Sequence, residues 1–326
     1  KQTSKMSNNK YLMIGTEPSY YSGKLRAYMK YKEIPFEEVM ATWQMIKKVI
    51  IPKTGVKYIP ILVTPDGKHI QDTKEIMDYL EQKFPKYPII PTTPKQRFAS
   101  MLLEIFADEW LVLPAMHYRW SFPEQRKFMY MEFVKMLAPE TKGQDDSVLL
   151  QFGDKFAGPF SGSLVHLGVN KETIPAIEES YLEFLDYFNK HLQTYNHVFG
   201  DKPSLADFAL FGPLYAHLYR DPIPGSIMKL KYPHVAEWVE RTYGMRPYPA
   251  TASDDGTITT NYATKKENLK FLPNDEVPEN IVSILRMMFE QQMPVIEDTA
   301  KQMTQWFAAN PNKPIPRSIG LHTITI

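Results

Sequence analysis

The chain of 326 residues contains no cysteine. Disulfide bonds, thiolate metal ligands and a cysteine nucleophile are therefore excluded for this chain. The absence fits a cytoplasmic protein, since disulfides form and persist mainly in oxidising compartments. We expect a cytoplasmic location on this ground.

Neither an excess of charge of one sign nor a long apolar run is present. The 38 basic and 37 acidic residues nearly cancel, so the charge predicts neither a nucleic-acid nor a membrane partner. No run approaches the roughly 18 apolar residues of a membrane-spanning helix. The first ten residues, KQTSKMSNNK, also lack the apolar stretch of a signal peptide.

Motifs for metals and nucleotides are missing as well. The eight histidines are dispersed, with no H-E-x-x-H pattern and no pair four residues apart, so we expect no metal site. The chain also lacks a Walker motif and a G-x-G-x-x-G turn, which leaves nucleotide binding without support.

The first 90 residues alternate short apolar runs with helical patterns. We predict strands at residues 11–14, 35–39, 59–63 and 68–70. A helix at residues 22–32 follows the first strand. The capping pair Asp72 and Glu75 opens another helix, whose buried face is predicted to contain Ile76, Met77, Leu80 and Phe84. A small mixed sheet with helices packed on it follows from this order.

After the proline-rich segment 85–91 (PKYPIIP), which is typical of a linker, the patterns are helical. One stripe consists of Phe98, Met101, Leu102, Ile105, Phe106 and Glu109. Ser204 and Asp207 form a capping pair ahead of a buried helix, and two further helices are predicted between residues 281 and 306. Residues 139–172 and 244–262 are rich in Gly, Pro, Thr and Asp and predict long loops, and the alternating run 321–326 is typical of a strand.

Four short motifs stand at residues 19–26 (SYYSGKLR), 58–62 (YIPIL), 71–76 (QDTKEI) and 200–210 (GDKPSLADFAL). In this order and spacing they resemble motifs of the serine-type cytosolic glutathione S-transferase superfamily. These are the first strand-to-helix turn, the cis-proline segment, the start of the third helix and the capping box of the helical domain. The resemblance covers about residues 10–240, and the residues after it exceed an ordinary member of the family. Residues 107–110 (ADEW) and 117–120 (HYRW) resemble a longer branch with a C-terminal extension.

The resemblance implies three regions. Residues 10–90 would form an α/β thioredoxin-like domain of βαβ-ββα order with a mixed four-stranded sheet, and residues 91–244 an all-α domain. Residues 245–326 would be an extension with two helices packed on the helical domain. A homodimer and glutathione as co-substrate are implied in the same way.

Ser19 is the catalytic residue that the resemblance implies. A free thiol has a pKa near 8.5, so glutathione chemistry at neutral pH needs a stabilised thiolate. A hydroxyl at a helix N-terminus can donate to that thiolate while the free N–H groups of the helix favour its charge. Ser22, Tyr20 and Tyr21 are alternative donors, and capping of the helix is the alternative role of Ser19.

The resemblance also implies residues that bind the cysteinyl, γ-glutamyl and glycyl units of glutathione. Ile59, before the cis Pro60 of the family, would pair its backbone with the cysteinyl unit. Asp72 and Thr73, at the next helix N-terminus, would hold the γ-glutamyl amine and carboxylate, with capping as the alternative role. Candidates for binding the glycyl carboxylate are Lys57, Lys47 and Lys48.

The helical domain would supply the pocket for a second substrate, a small hydrophobic electrophile. Its candidates are Tyr20, Trp110, His117, Tyr118 and Arg119. A buried arginine needs a partner, for which Asp108 or Glu109 is the candidate. Two function classes are open: a transferase in which a serine-stabilised thiolate attacks the electrophile in a detoxification reaction, and a non-catalytic binding or scaffold protein of the same fold.

Overall fold

A four-stranded mixed sheet forms the N-terminal part of the chain in this computed structural model, which describes residues 10–244, 250–260 and 266–314. The strands are β1 (Tyr11–Gly15), β2 (Phe36–Met40), β3 (Ile61–Val63) and β4 (His69–Gln71), in the order β2-β1-β3-β4. β2 is parallel to β1, whereas β3 is antiparallel to both β1 and β4. The predicted thioredoxin-like sheet is confirmed.

Four helices accompany this sheet: α1 (Tyr20–Tyr31), α2 (Trp43–Met45), α3 (Ile51–Thr54) and α4 (Thr73–Lys83). A π-helical turn at Ile46–Ile50 joins α2 to α3. α1 begins two residues before the predicted start because Ser19 caps it. Leu25, Tyr28 and Met29 are buried, as helical spacing requires for its inner face.

The described helices after residue 91 are α5 (Pro94–Ile105), α6 (Val112–Trp120), α7 (Pro123–Leu137), α8 (Asp146–Ser161), α9 (Ile174–Leu192), α10 (Leu205–Ala216), α11 (Pro222–Lys231), α12 (Pro233–Tyr243), α13 (Glu279–Gln291) and α14 (Met293–Ala309). A second π-helical turn, Phe106–Trp110, separates α5 from α6. Within the predicted loop 244–262, β5 (Ala250–Ala252) and β6 (Ile258–Thr260) form a hairpin. None of the helices in the described ranges combines the length and the apolar character that a bilayer crossing requires.

Helix α10 lies at the centre of the molecule, because every one of its residues is buried. The predicted capping box of Ser204 and Asp207 starts it. α10 packs against α1, and at Gly212 a side-chain Cβ would lie 3.1 Å from the Tyr20 carbonyl oxygen. This close approach joins the sheet domain to the helical bundle.

The prediction of a loop over residues 139–172 is wrong, because α8 occupies residues 146–161. α8 packs along α7, where a Cβ on Gly153 would lie 2.5 Å from the Tyr130 carbonyl oxygen. The ring of Phe160 meets that of Phe133 with their centres 5.1 Å apart. Tertiary packing therefore overrides the weak helix propensity of the glycines and of Pro159.

Helix α5 is present as predicted, but its apolar stripe is not wholly buried. Ala99 and Leu103 face the core, whereas Phe98, Met101 and Ile105 are exposed. The exposed side chains recur at three- and four-residue spacing, so α5 has an apolar outer face.

The proline-rich segment is packed rather than free. Ile89 is buried, its carbonyl accepts from the Leu205 N–H at 3.0 Å, and its N–H donates to Glu81 at 3.2 Å. In the C-terminal part, α13 packs against α9 and α5, and α14 contacts α13. The predicted strand at 321–326 lies outside the described residues.

Candidate functional site

Three chain segments emerge at one edge of the sheet. Ile14 of β1 pairs with Ile61 of β3, and Ile61 pairs with Gln71 of β4. The turn after β1, the residues before β3 and the residue after β4 therefore lie side by side. This register brings the segments containing Ser19, Ile59 and Asp72 to the same edge.

Ser19 is the N-cap of α1 and is half-buried. Its Oγ accepts a hydrogen bond from the Ser22 N–H at 3.3 Å. A serine hydroxyl that accepts one bond keeps its own proton available to donate. Ser19 therefore presents a donor at a helix N-terminus, where the free N–H groups favour an anion.

The three alternative hydroxyls are buried or already engaged. Ser22 is fully buried, and its Oγ accepts from the Thr16 N–H at 3.3 Å. The hydroxyl of Tyr20 donates to the carbonyl of Ala107, and that of Tyr21 donates to the carbonyl of Asp108 at 3.0 Å. Both carbonyls belong to the π-helical turn before α6, so these tyrosines join the sheet domain to the bundle.

The bond between Ile59 and Pro60 is cis, as the resemblance implies. Pro60 is buried, whereas Ile59 is partly exposed. Among the described residues, neither the N–H nor the C=O of Ile59 has a hydrogen-bond partner. Its backbone is therefore available to pair with an extended ligand.

Asp72 caps α4 in an uncommon backbone conformation. Its φ is +79°, in the region that favours glycine, and its Oδ1 accepts from the Lys74 N–H at 2.8 Å. Thr73 beside it is buried. Strain of this kind concentrates at functional sites.

Glu109, in the π-helical turn before α6, lies near this edge. Burial and then the charge of Asp72 raise the pKa of the Glu109 carboxyl. The two carboxylates therefore lie within electrostatic reach of each other, one on each domain. The sequence signal was only the acidic pair in the turn before α6.

An open cavity of about 440 Å³ lies beside the cis-proline segment. It is lined by Ile51, Gly55, Val56, Lys57 and Tyr58. Lys57 is exposed here, so its ammonium can reach an anion in the cavity. The Nζ of Lys47 instead lies over the Trp43 ring, 4.7 Å from its centre.

Most of the predicted second-substrate residues point into the bundle. Tyr20, His117, Tyr118 and Arg119 are almost wholly buried, whereas Trp110 is partly exposed. His117 is bound on both ring nitrogens, to Ser121 and Glu178, at 2.9 Å each. This burial disfavours the pocket role for the four residues and leaves it open for Trp110.

The predicted partner of Arg119 is wrong. Arg119 binds neither Asp108 nor Glu109 but Asp221, through Nε at 2.7 Å and Nη2 at 3.0 Å. Asp108 instead accepts from Lys24 at 2.6 Å. α6 turns Arg119 toward the loop before α11, away from the π-helical turn.

Within the described part of the chain, no group of three or more histidine and carboxylate side chains is placed to hold a metal ion. The site consists of a hydroxyl, a free backbone unit, two carboxylates and a lysine. Such a set can bind a zwitterionic peptide and stabilise one further anion.

Comparisons with known families match both parts of the chain. The model described as glutathione S-transferase, N-terminal domain, matches residues 13–88, and that described as glutathione S-transferase, C-terminal domain, matches residues 148–244. The first match contains Ser19, Ile59 and Asp72, and the second contains the capping box of α10.

Individual relatives are distant. Glutathione S-transferase U6 of Arabidopsis thaliana is 26% identical over 106 residues, 32% of this chain and 47% of that protein. Glutathione S-transferase U3 of the same plant is 23% identical over 103 residues, 31% of this chain and 45% of that protein. This chain thus matches about half the length of these curated relatives.

The solved structures that resemble this chain are also low in sequence identity to it. A glutathione S-transferase from Methylobacterium radiotolerans, in complex with glutathione sulfonate, is 19% identical with a TM-score of 0.46, covering 75% of this chain and 98% of that one. The beta-etherase LigF from Sphingobium is 18% identical with a TM-score of 0.47, covering 73% of this chain and 96% of that one.

Proposed function

Because the chain belongs to the cytosolic glutathione S-transferase superfamily, we propose that it binds glutathione at the Ser19 edge of its sheet and stabilises the glutathione thiolate there. The thiolate sulfur then attacks an electrophilic carbon of an apolar substrate, a leaving group departs, and the thiol proton passes to solvent. Such conjugation would serve detoxification in the cytoplasm. The chain has no cysteine, so the thiol is the ligand's.

The hydroxyl of Ser19 is the observation that carries this proposal. It is half-buried at the N-terminus of the 12-residue α1, at the edge where Ile59 and Asp72 also emerge. Ser22 is fully buried, and the hydroxyls of Tyr20 and Tyr21 donate to backbone carbonyls of the helical domain. Ser19 is therefore the donor that the geometry favours.

The remaining groups of glutathione have matching partners. The backbone of Ile59, beside Pro60, pairs with the cysteinyl unit as an added strand. Asp72 takes the γ-glutamyl ammonium, and Thr73 with the α4 N-terminus takes its carboxylate. The exposed Lys57 takes the glycyl carboxylate.

The electrophile approaches from the helical domain. Trp110 is partly exposed in the π-helical turn that contacts Tyr21. An aromatic ring at this place offers an apolar surface to a small hydrophobic substrate. Trp110 is the one residue that we retain from the predicted pocket.

Replacing Ser19 with alanine tests the enzymatic role. Lowering a thiol pKa by about two units takes about 2.7 kcal/mol, so its loss reduces conjugation about a hundredfold at mildly acidic pH. The rate with a chlorodinitrobenzene and the ultraviolet absorbance of the bound thiolate measure the effect. Ser19→Thr keeps a hydroxyl and serves as the matched control.

Three outcomes separate the function classes. Loss of rate in Ser19→Ala with glutathione still bound supports the transferase. Binding to wild type without turnover supports the alternative, a non-catalytic binding or scaffold protein. A wild-type chain that does not bind glutathione contradicts both.

We also propose a homodimer through the outer face of α5. Phe98, with 61% of its surface exposed, lies beside Met101 and Ile105, and the end of this face opens into a cavity of about 330 Å³. An exposed apolar face of this kind suits a two-fold interface. The cavity is lined by Thr92, Pro94, Arg97, Phe98 and Met101.

Phe98→Glu is expected to convert the dimer into a monomer, because it places a charge in an apolar interface. Light scattering on a sizing column measures the mass. Leu230→Glu is the matched control, since Leu230 is an isolated exposed residue of α11. A wild-type monomer, or a variant that stays dimeric, contradicts this interface.

A further inference from the structure

The turn between β1 and Ser19 is held by residues of the helical domain. This turn consists of Thr16, Glu17 and Pro18. The carbonyl of Pro18 accepts from Arg119 Nη1 at 2.9 Å. The carboxylate of Glu17 accepts from the hydroxyls of Tyr215 and, at 2.7 Å, of Tyr243.

Arg119 is fixed in a single orientation by its other bonds. Besides Asp221, its Nη2 donates to the Ala216 carbonyl at 2.6 Å, and its Nη1 lies 2.7 Å from His217 Nε2. Arginine has no acceptor, so His217 Nε2 must accept, and its Nδ1–H then donates to the Ala115 carbonyl at 3.0 Å. Burial, followed by the charge of Arg119, lowers the pKa of His217, so that the ring is neutral.

Glu17 is held in a similar way. Burial raises the pKa of its carboxyl, but Arg26 and the hydroxyls of Tyr215 and Tyr243 lower it more, so the net direction is downward. The Tyr215 and Tyr243 rings are stacked with their centres 4.4 Å apart. Arg26 also donates to the Thr16 carbonyl at 3.1 Å.

We infer that Arg119, Tyr215 and Tyr243 are positioning residues for Ser19. They fix the two residues before Ser19, and so they set where its hydroxyl lies relative to the ligand's sulfur. Displacements of about 1 Å at a reacting group change rates strongly. The inference rests on the proposed function, since it concerns the hydroxyl that stabilises the thiolate.

The double variant Tyr215→Phe/Tyr243→Phe tests it with little change in packing. Both rings remain, whereas the two bonds to Glu17 and the bond between the two hydroxyls are lost. We expect the pKa of the bound thiol to rise and conjugation below that pKa to fall about tenfold. Affinity for S-methylglutathione, which has no ionisable thiol, should stay within about twofold of wild type.

Tyr219→Phe is the matched control, because its hydroxyl binds Glu240 at 2.8 Å, away from the turn. Arg119→Lys provides a second arm, since lysine keeps the charge beside Asp221 but lacks the fork that also reaches Pro18. If Arg119→Lys does not fold, the tyrosine variants decide. A purely structural role would lower the melting temperature without moving the thiol pKa.

The outcomes distinguish this inference from the proposed function. A lowered thiol pKa in wild type that is raised in the double variant, but not in Tyr219→Phe, supports the positioning role. An unchanged thiol pKa in the double variant contradicts that role alone. Glutathione bound to wild type without a lowered thiol pKa overturns both the thiolate mechanism and the positioning role.

Discussion

Lys24→Met is expected to destabilise the folded chain by about 3–5 kcal/mol. The Lys24 side chain is wholly buried, with its Nζ 3.0 Å from Glu104 and 2.6 Å from Asp108. Methionine has nearly the same length but no charge, so it leaves two carboxylates without their counter-ion. Chemical denaturation at neutral pH measures the free energy of unfolding.

The position of Lys24 explains why its replacement should cost so much stability. The lysine lies on α1, and both carboxylates lie on the helical domain, in α5 and the π-helical turn after it. The same turn accepts the hydroxyls of Tyr20 and Tyr21. Removing the charge therefore affects the contact between the two domains as well as one ion pair.

The stability lost in Lys24→Met should also depend on pH. Burial raises the pKa of Asp108 from 3.8 to about 6, although Lys24 lowers it. A carboxyl whose pKa is raised by folding stabilises the fold below its unfolded pKa, and this contribution disappears as the pH rises through the folded pKa. The cost of Lys24→Met should accordingly be smaller near pH 4 than above pH 6, where Asp108 is charged.

Two controls separate this explanation from a general effect of lysine removal. Lys74→Met removes an exposed lysine that pairs with Asp78 at 2.5 Å, and should cost less than about 1 kcal/mol. The double variant Lys24→Met/Asp108→Asn should regain part of the loss, because one uncompensated carboxylate is gone. Equal costs for Lys24→Met and Lys74→Met would contradict the buried-pair account.

Local signals were sufficient for the sheet domain. Gly67 has a φ of +88° in the turn between β3 and β4, and Asp72 caps α4 where the sequence places a cap. The order of the strands then brings Ser19, Ile59 and Asp72 to one edge. These features could be predicted because each depends on neighbouring residues and on one simple topology.

Contacts between distant helices could not be predicted in this way. Arg119 and its partner Asp221 are 102 residues apart, so no spacing rule connects them. The sequence of α8 has the composition of a loop, and only its packing against α7 at Gly153 explains the helix. Within a bundle, sequence alone does not show which face of a helix such as α5 meets the core, and Phe98 in the predicted stripe is exposed.

Asp207→Ala is the second substitution with a large expected effect, a loss of at least about 3 kcal/mol. The buried carboxylate accepts from the Val198 N–H at 3.0 Å and from the N–H and hydroxyl of Ser204 at 2.8 Å each. Alanine leaves these donors without an acceptor at the start of the central helix α10. Thermal and chemical unfolding measure the change.

The pH dependence and a neighbouring aspartate provide the controls. Burial raises the pKa of Asp207, but His197 and the backbone N–H groups lower it more, so the net value is below 3.8. A carboxyl with a lowered pKa stabilises the fold above its unfolded pKa and loses that contribution only as the pH falls through the folded one. The difference in unfolding free energy between wild type and Asp207→Ala should therefore persist at neutral pH and become smaller in acid. Asp201→Ala, in the same loop but exposed, should change stability by less than about 0.5 kcal/mol; an equal loss in the two variants would show that the capping box does not hold this segment.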